Sequence, residues 1–397
     1  MHVRIQNFFN FILEPIRDIF HKSPSHGPNL AVLDGLRGMA VILVLTDHTR
    51  AFFNTNRGYV GVVLFFVLSG FLLTMPFVYK ADLKPNFAFI GQYLIRRFKR
   101  IYPLFLVFVT LQYYVLDGII ATLPHFASHT EKFWNYFRFI SFHTVYGHFW
   151  SIVQEVYFYT LLPIIFLTNH YVLKKNTVLI IIFLLGLTLL SLRVTPESGV
   201  YFNWITFSGT VKMRIMAEVF LAGVIICYVA GGIVPKIQGT VLVRLITTLM
   251  ALLATLLLLF GNEQLLNNWL GQMPHLKDLI PYVLAWQSEH YAIICCFLLF
   301  ALLINKDGIL GKIYSWLPLR AIGVLGYSMY LVHPYVIEFC NLHNIKLSAV
   351  AEMRFLQVLF LTYLISSFTY TYIEKPLYKA SYREVLKNSW RKILIST

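Results

Sequence analysis

Three ionisable residues interrupt an apolar stretch near the N-terminus. The stretch reads "LDGLRGMAVILVLTDHTR" and contains Asp34, Arg37 and His48. Ionisable side chains at membrane depth cost free energy and usually mark a function. On a helix, the eleven-residue spacing from Arg37 to His48 puts both on one face, about 16 Å apart along the axis. Asp34 lies one turn before Arg37. We interpret this face as a polar path with an anion site at Arg37 and a proton-transfer group at His48.

A second basic group stands in "YLIRRFKRIYP". Arg97 and Arg100 are three residues apart, so they share a helical face and can present two guanidinium groups to one polyphosphate. Arg96 and Lys99 are typical of the positive residues that anchor a span at the cytoplasmic surface. The pattern favours an intracellular, phosphate-rich ligand.

Glu155 is the acid of the segment "HFWSIVQEVYFYTLLP". His48 and Glu155 each lie about five residues below the outer end of a predicted span, about 7 to 8 Å into the membrane. We therefore predict that they meet. A carboxylate on one imidazole nitrogen would fix the tautomer and raise the basicity of the other, as a general base requires. The alternative is a structural pair that holds two helices together.

Other polar residues stand inside predicted spans. The segment "VLSGFLLT" lacks the glycine of a nucleophile elbow, so we expect Ser69 and Gly70 to support close helix packing. In "GYSMYLVHPYVIEF", Tyr330 and His333 lie within a predicted span that Pro334 can kink. His333 is equally compatible with structural hydrogen bonding and with acceptor binding. Glu374 is interpreted as part of a helix end.

A metal site is not predicted. His125 and His129 in "HFASH" have the spacing of two ligands on a helix, but no adjacent carboxylate provides a third ligand.

The composition is that of a polytopic membrane protein. The chain has 397 residues, of which 58% are hydrophobic and 13% charged, arranged as long apolar runs between short polar connectors. The net charge of +15 comes from Lys and Arg in the loops between these runs, which argues against nucleic-acid binding. We predict an all-α bundle of about ten transmembrane helices. The predicted spans are 33–53, 58–78, 101–118, 149–168, 177–193, 214–230, 241–261, 285–304, 321–341 and 354–373.

Orientation and domains follow from charge. The side that contains the N-terminus carries more than twice as many Lys and Arg residues as the other, so both termini are predicted to be cytoplasmic. Residues 1–28 lack a signal-peptide pattern and are expected to remain in the mature chain. Their apolar spacing predicts an interfacial amphipathic helix, kinked at Pro15. Residues 29–378 form the membrane domain, and 379–397 a basic cytoplasmic tail.

Together these motifs resemble the integral-membrane acyltransferase family three, O-acyltransferases of cell-envelope polysaccharides and some small molecules. The resemblance covers about residues 30 to 378. Five motifs in the family's order carry it: Arg37 and His48 within "LDGLRG…H"; Ser69, Gly70 and Phe71; Arg97 and Arg100; Trp150, Ser151 and Glu155; and the "YLVHP" segment that contains Tyr330 and His333.

The resemblance implies an acyl-CoA donor, acetyl-CoA first, and a hydroxyl acceptor on an envelope glycan or lipid-linked saccharide, such as lipopolysaccharide O-antigen. The protein would be a multi-pass enzyme of the cytoplasmic (inner) membrane, in contact with the lipid bilayer. Many members have two adjacent glutamates where this chain has Glu155 and Val156, so Glu155 would act alone. Some members also carry a further span and an extracytoplasmic hydrolase-like domain, which we do not expect to be attached to this chain.

The expected mechanism combines the spacing of the polar residues with the donor and acceptor that the resemblance implies. Arg37, Arg97 and Arg100 would hold the CoA phosphates, and His48, oriented by Glu155, would act on the acceptor hydroxyl. Either general-base catalysis or transient acylation of His48 satisfies the pattern. One alternative is a proton-coupled transporter or flippase of an anionic envelope precursor, with His48 and Glu155 as a proton relay. Another is a structural envelope-assembly protein without chemistry.

Overall fold

The computed structural model describes residues 2–21, 30–52, 57–79, 85–114, 129–193, 201–206, 209–214, 216–237, 240–261, 287–342 and 350–377. Of the predicted terminal segments, residues 22–28 and the basic tail 379–397 lie outside this range.

Helices form over the apolar runs. Inside a bilayer a chain must satisfy its backbone hydrogen bonds internally, and a helix does so within one segment. The helices are α1 His2–His21, α2 Leu30–Thr49, α3 Arg57–Tyr79, α4 Phe87–Tyr114, α5 His129–Ile140, α6 Trp150–Leu167, α7 Thr177–Arg193, α8 Ala217–Ile237, α9 Val241–Phe260, α10 Gln287–Ile304, α11 Ile309–Tyr314, α12 Leu317–Val324, α13 Gly326–Leu342 and α14 Ala351–Thr369.

A helix lies over each of the ten predicted spans, with two differences in extent. The helix α4 begins at Phe87, well before the predicted start at 101. The predicted span 321–341 is divided between α12 and α13, which meet at Leu325. The chain is a membrane protein. Among the described residues, five helical stretches are long and apolar enough to cross a membrane: Arg57–Tyr79, Gly147–Val172, Ala217–Ile237, Val241–Phe260 and Ala351–Leu377. Ten crossings and cytoplasmic termini stay predictions.

The fold is all-α as predicted, with one small sheet that the sequence did not predict. The strand β1, Thr144–Tyr146, pairs in parallel with β2, Tyr201–Thr206, which pairs antiparallel with β3, Gly209–Arg214. The strand β1 is fully buried and leads through a short turn into α6. Strands of three to six residues are too short to stand out against long apolar runs, so the sequence reading missed them.

Two glycine contacts set the position of α2. A Cβ atom on Gly38 would lie 2.0 Å from the carbonyl oxygen of Leu319, and one on Gly323 would lie 1.7 Å from that of Asp34. Only glycine permits this approach of α2 to α12. Gly70 has the packing role predicted for it, since its Cβ position lies 2.1 Å from the carbonyl oxygen of Phe220 on α8.

The amphipathic helix α1 is anchored to the end of α14. It is one helix from His2 to His21 with Pro15 inside it, and the kink at Pro15 stays a prediction. The ammonium group of Lys375 bonds to Glu14 and, at 2.7 Å, to Asp18. We call this end of the bundle, marked by Lys375 and α1, the α1 end, and the opposite end, marked by His48, the His48 end.

Candidate active site

A cavity of about 250 Å³ lies inside the bundle toward the α1 end. Seven of the residues predicted from the sequence line it, and charged groups are concentrated toward the α1 end. Its lining includes Asp34, Arg37, Val62, Phe65, Phe66, Ser69, Arg100, Ile101, Ser151, Ile152, Glu155, Tyr159, Tyr327, Tyr330, Tyr370, Glu374 and Lys375.

Glu155 is held by two hydroxyl groups. Ser69 donates a hydrogen bond to its Oε1 atom at 2.9 Å, and Tyr159, one turn further along α6, donates to the same oxygen at 2.5 Å. Ser69 therefore does more than allow close packing, because its hydroxyl joins α3 to the carboxylate of α6.

Two arginines from different helices line the cavity. Arg37 on α2 interacts electrostatically with Arg100 on α4 and with the carboxylates of Asp34 and Glu155. Two guanidinium groups in one cavity suit a polyanionic ligand, with the carboxylates as counter-charges when the ligand is absent. Arg37 and Arg100 line the cavity, whereas Arg97, which the sequence paired with Arg100, does not.

Arg97 itself lies outside the residues that line the cavity. Its guanidinium carbon is 5.8 Å from the ring centroid of Tyr93, one turn earlier on α4. Its buried Nε atom has no hydrogen-bond partner among the described residues, and neither has the Tyr93 hydroxyl. Since α4 rises from the α1 end, Arg97 is one turn closer to that end than Arg100.

The predicted contact between His48 and Glu155 is wrong. Glu155 lies beside Arg37, whereas His48 is eleven residues further along α2, about 16 Å away. The residue of this segment near His48 is His148, which precedes α6 and interacts with His48 electrostatically. Counting from the predicted span ends placed His48 and Glu155 at the same depth. In the structure α6 begins deeper in the bundle, with His148 near His48.

A backbone carbonyl orients His48 instead. The Nδ1–H group of His48 donates to the carbonyl oxygen of Val44 at 2.9 Å. This bond fixes the tautomer and leaves the lone pair on Nε2, which is the nitrogen a general base uses. The His48 side chain is exposed, and its ring packs edge-to-face on His333 with 4.9 Å between centroids.

Tyr330 connects the cavity to the histidines. It lines the cavity, its ring lies 5.8 Å from that of His148 and 5.7 Å from that of His333, and its hydroxyl donates to the backbone carbonyl of His148 at 2.7 Å. The histidine cluster, which we define as His48, His148 and His333, therefore packs against the residue at which the cavity lining ends toward the His48 end.

The two histidines with metal-ligand spacing are described only in part. His129 is exposed at the start of α5, and His125 lies outside the described residues. In the part of the chain that is described, no three His, Cys, Asp or Glu side chains are grouped as metal ligands.

Comparison with known proteins decides the family. The family model described as an acyltransferase domain, family 3, matches residues 30–373. This chain belongs to acyltransferase family 3. The match includes the cavity lining except Glu374 and Lys375, both arginines that line the cavity, and the histidine cluster.

Curated relatives of this family 3 chain are O-acetyltransferases by name. The O-acetyltransferase OatA of Staphylococcus aureus (strain NCTC 8325 / PS 47) is 24% identical over 381 residues, which cover 91% of this chain and 58% of OatA. The putative peptidoglycan O-acetyltransferase YrhL of Bacillus subtilis (strain 168) is 25% identical over 390 residues, 92% of this chain and 57% of YrhL. The chain thus spans less than two thirds of these relatives. No solved structure matches it significantly.

Four residues of the family 3 site were missed from the sequence. Glu374 lines the cavity, accepts a hydrogen bond from Ser328 and interacts with Arg100. No role was predicted for Tyr159, Lys375 or His148. Glu374 directly follows the predicted span 354–373, and an ionisable group at the end of a span is a signal that could have identified it.

The arrangement separates two kinds of chemistry along one path. Arginines and carboxylates at the α1 end can bind a polyanion, and imidazoles at the His48 end can accept a proton. A molecule that enters at the α1 end can thus place a reactive group near Tyr330.

Proposed function

We propose that this chain is a membrane O-acyltransferase that moves an acyl group from cytoplasmic acyl-CoA, acetyl-CoA first, to a hydroxyl of an extracytoplasmic envelope glycan. The observation that carries the proposal is the cavity lined by Arg37, Arg100 and Tyr330. Ring contacts link Tyr330 to His333 and His333 to His48. Family membership supports acyl transfer. The protein would be a multi-pass component of the cytoplasmic membrane.

The arginines hold the donor phosphates. Arg37 and Arg100 bind charged oxygens that cannot enter the bilayer by themselves, and Arg97 adds an unpaired buried nitrogen one turn nearer the α1 end. The pantetheine arm then extends along the polar wall formed by Ser69, Glu155 and Tyr159. Glu155 acts as a counter-charge and as an anchor of this wall.

The reaction takes place near His48. Its Nε2 removes the proton from the acceptor hydroxyl as that oxygen attacks the thioester carbon. The carbon–sulfur bond breaks, and the CoA thiolate takes a proton, so an ester and free CoA thiol are formed. The same nitrogen would carry the acyl group if the reaction passes through an acyl-enzyme.

The acceptor is proposed from the relatives and the side on which it must lie. YrhL is named for peptidoglycan, so cell-wall glycan is the first acceptor to test, with a lipopolysaccharide sugar or a lipid-linked saccharide next. The His48 end faces the extracytoplasmic side if the positive-inside orientation holds.

The test is release of CoA thiol from acetyl-CoA by the protein in lipid nanodiscs, with and without glycan. We expect glycan-dependent release, lowered about 10²- to 10⁴-fold in His48→Ala. His290→Ala is the matched control, since His290 is exposed on α10 outside the cavity lining. Equal release by wild type and His48→Ala would overturn the role of His48. A proton-coupled transporter would move substrate in vesicles with a gradient and release no thiol.

A further inference from the structure

Two histidines beside His48 have nitrogen atoms that nothing in the described structure satisfies. The Nε2 atoms of His148 and His333 are buried and lack a hydrogen-bond partner among the described residues. The His333 side chain is completely buried, and the two rings are 6.0 Å apart between centroids. A buried polar atom without a partner is unfavourable, so such atoms usually indicate a missing ligand or water.

The chemistry of the missing partner follows from the tautomer. The Nδ1–H group of His333 donates to the carbonyl oxygen of Met329 at 3.2 Å. Nε2 of the neutral ring therefore presents a lone pair, which needs a hydrogen-bond donor. A hydroxyl group is such a donor, whereas a phosphate or a carboxylate offers only acceptors.

The position of His148 is fixed by contacts that do not use Nε2, among them a hydrogen bond of its imidazole with the backbone of Leu331. Its backbone carbonyl accepts the hydrogen bond from Tyr330, and its ring stacks on Phe149 with 4.4 Å between centroids. The imidazole is thus held beside His333 by contacts that leave Nε2 unused. The side chain is therefore held in one orientation before any ligand binds.

The surroundings exclude the donor phosphates as the occupant. Arg37, which is proposed to bind phosphate, lies about 16 Å along α2 from His48. Arg100, the second arginine proposed for this role, lines the same cavity as Arg37. The His48 side chain is exposed at the His48 end. A hydroxyl-rich molecule that approaches from that end fits the histidine cluster.

We propose that His148 and His333 form the acceptor subsite, in which their Nε2 atoms accept hydrogen bonds from sugar hydroxyls and hold the reacting hydroxyl against Nε2 of His48. This inference rests on the proposed acyl transfer. In the step itself, His48 takes the hydroxyl proton, the oxygen forms the ester bond, the carbon–sulfur bond breaks, and the proton passes to the thiolate.

The subsite predicts a specific kinetic pattern. His148→Phe and His333→Phe keep an aromatic ring but remove the acceptor nitrogen. In nanodiscs, with acetyl-CoA and the soluble disaccharide of N-acetylglucosamine and N-acetylmuramic acid as the probe, each should raise the KM for the disaccharide about tenfold or more, the effect of one lost hydrogen bond. The KM for acetyl-CoA and the equilibrium binding of CoA should stay within about twofold of wild type.

Two further variants separate binding from packing. His148→Gln restores an acceptor oxygen near the position of Nε2, so it should recover part of the disaccharide affinity that His148→Phe loses. His290→Phe, on the exposed face of α10, should change neither KM. Thermal unfolding in nanodiscs shows whether each variant is folded.

The outcomes are distinct. A rise in the disaccharide KM alone, partly recovered in His148→Gln, supports the subsite. If wild type transfers acetyl groups and the phenylalanine variants bind the disaccharide normally, the histidines are structural or satisfied by water and the subsite is overturned while the proposed function stands. If wild type binds CoA but transfers nothing to the disaccharide or to extracted glycan, the proposed function fails, and the subsite with it.

Discussion

Ser69 donates a hydrogen bond of 2.9 Å to Glu155, and this contact joins α3 to α6 beside Arg37. The carboxylate is thereby held as a counter-charge beside the arginines of the cavity and away from His48. The function of Glu155 should accordingly appear in donor use.

Replacing Glu155 should therefore impair the reaction through Arg37. Glu155→Gln removes the negative charge, and we expect acyl transfer to fall at least about tenfold, since 1.4 kcal/mol of lost interaction suffices for that. Ser69→Ala removes one of two hydrogen bonds to Glu155 and should cost about 1 kcal/mol of stability with most activity retained. Thiol release and thermal unfolding measure the two effects. Glu352→Gln, exposed on α14, is the control. Wild-type activity in Glu155→Gln would contradict this role.

The arginines should differ in their effect on donor affinity. Arg100→Gln removes a cavity guanidinium, and we expect CoA binding to weaken about 10- to 100-fold, as for the loss of a charged hydrogen bond. Arg97→Gln, outside the cavity lining, should have a smaller effect. Equilibrium binding of CoA in nanodiscs measures both. Arg244→Gln, on the exposed start of α9, should bind CoA like wild type. An unchanged affinity in Arg100→Gln would remove it from the donor site.

The approach of α2 to α12 should depend on the absence of a side chain at residue 38. A methyl group there would overlap the carbonyl of Leu319, so Gly38→Ala should force the helices apart and destabilise the fold by about 1 to 3 kcal/mol. Gly186→Ala is the matched control, because a Cβ on Gly186 meets nothing within 4 Å. It should be neutral or slightly stabilising. Thermal unfolding compares the two, and equal stability would show that the packing can adjust.

Anchoring of α1 should depend on Lys375. Lys375→Met removes the ammonium group from Glu14 and Asp18, which keep their contacts with Arg17 and Tyr370. We expect about 2 kcal/mol less protection of α1, or roughly thirtyfold faster amide exchange. Hydrogen exchange over His2–His21 measures this change. Lys236→Met, exposed at the end of α8, should leave it unaltered. Unaltered exchange in Lys375→Met would mean that Phe11 and Ile19, both buried, hold α1 without the ion pairs.

Sequence alone determined the membrane class, the helical segments and most of the candidate residues. Long apolar runs leave the backbone few alternatives to helices, and the cost of intramembrane charge singles out Asp34, Arg37, His48 and Glu155. Spacing along α2 also predicted correctly that Arg37 and His48 are separated along one helix, because helical rise is a local property.

Only the tertiary structure decided which side chains meet. Contacts between helices depend on how deeply each helix begins, and β1 and the turn before α6 shift that segment so that His148 lies near His48 and Glu155 lies beside Arg37. Glu374 and Tyr159 joined the cavity for the same reason. Helical periodicity specifies the face of a residue within its own helix, whereas the relative depth of two helices is set by packing between segments distant in sequence.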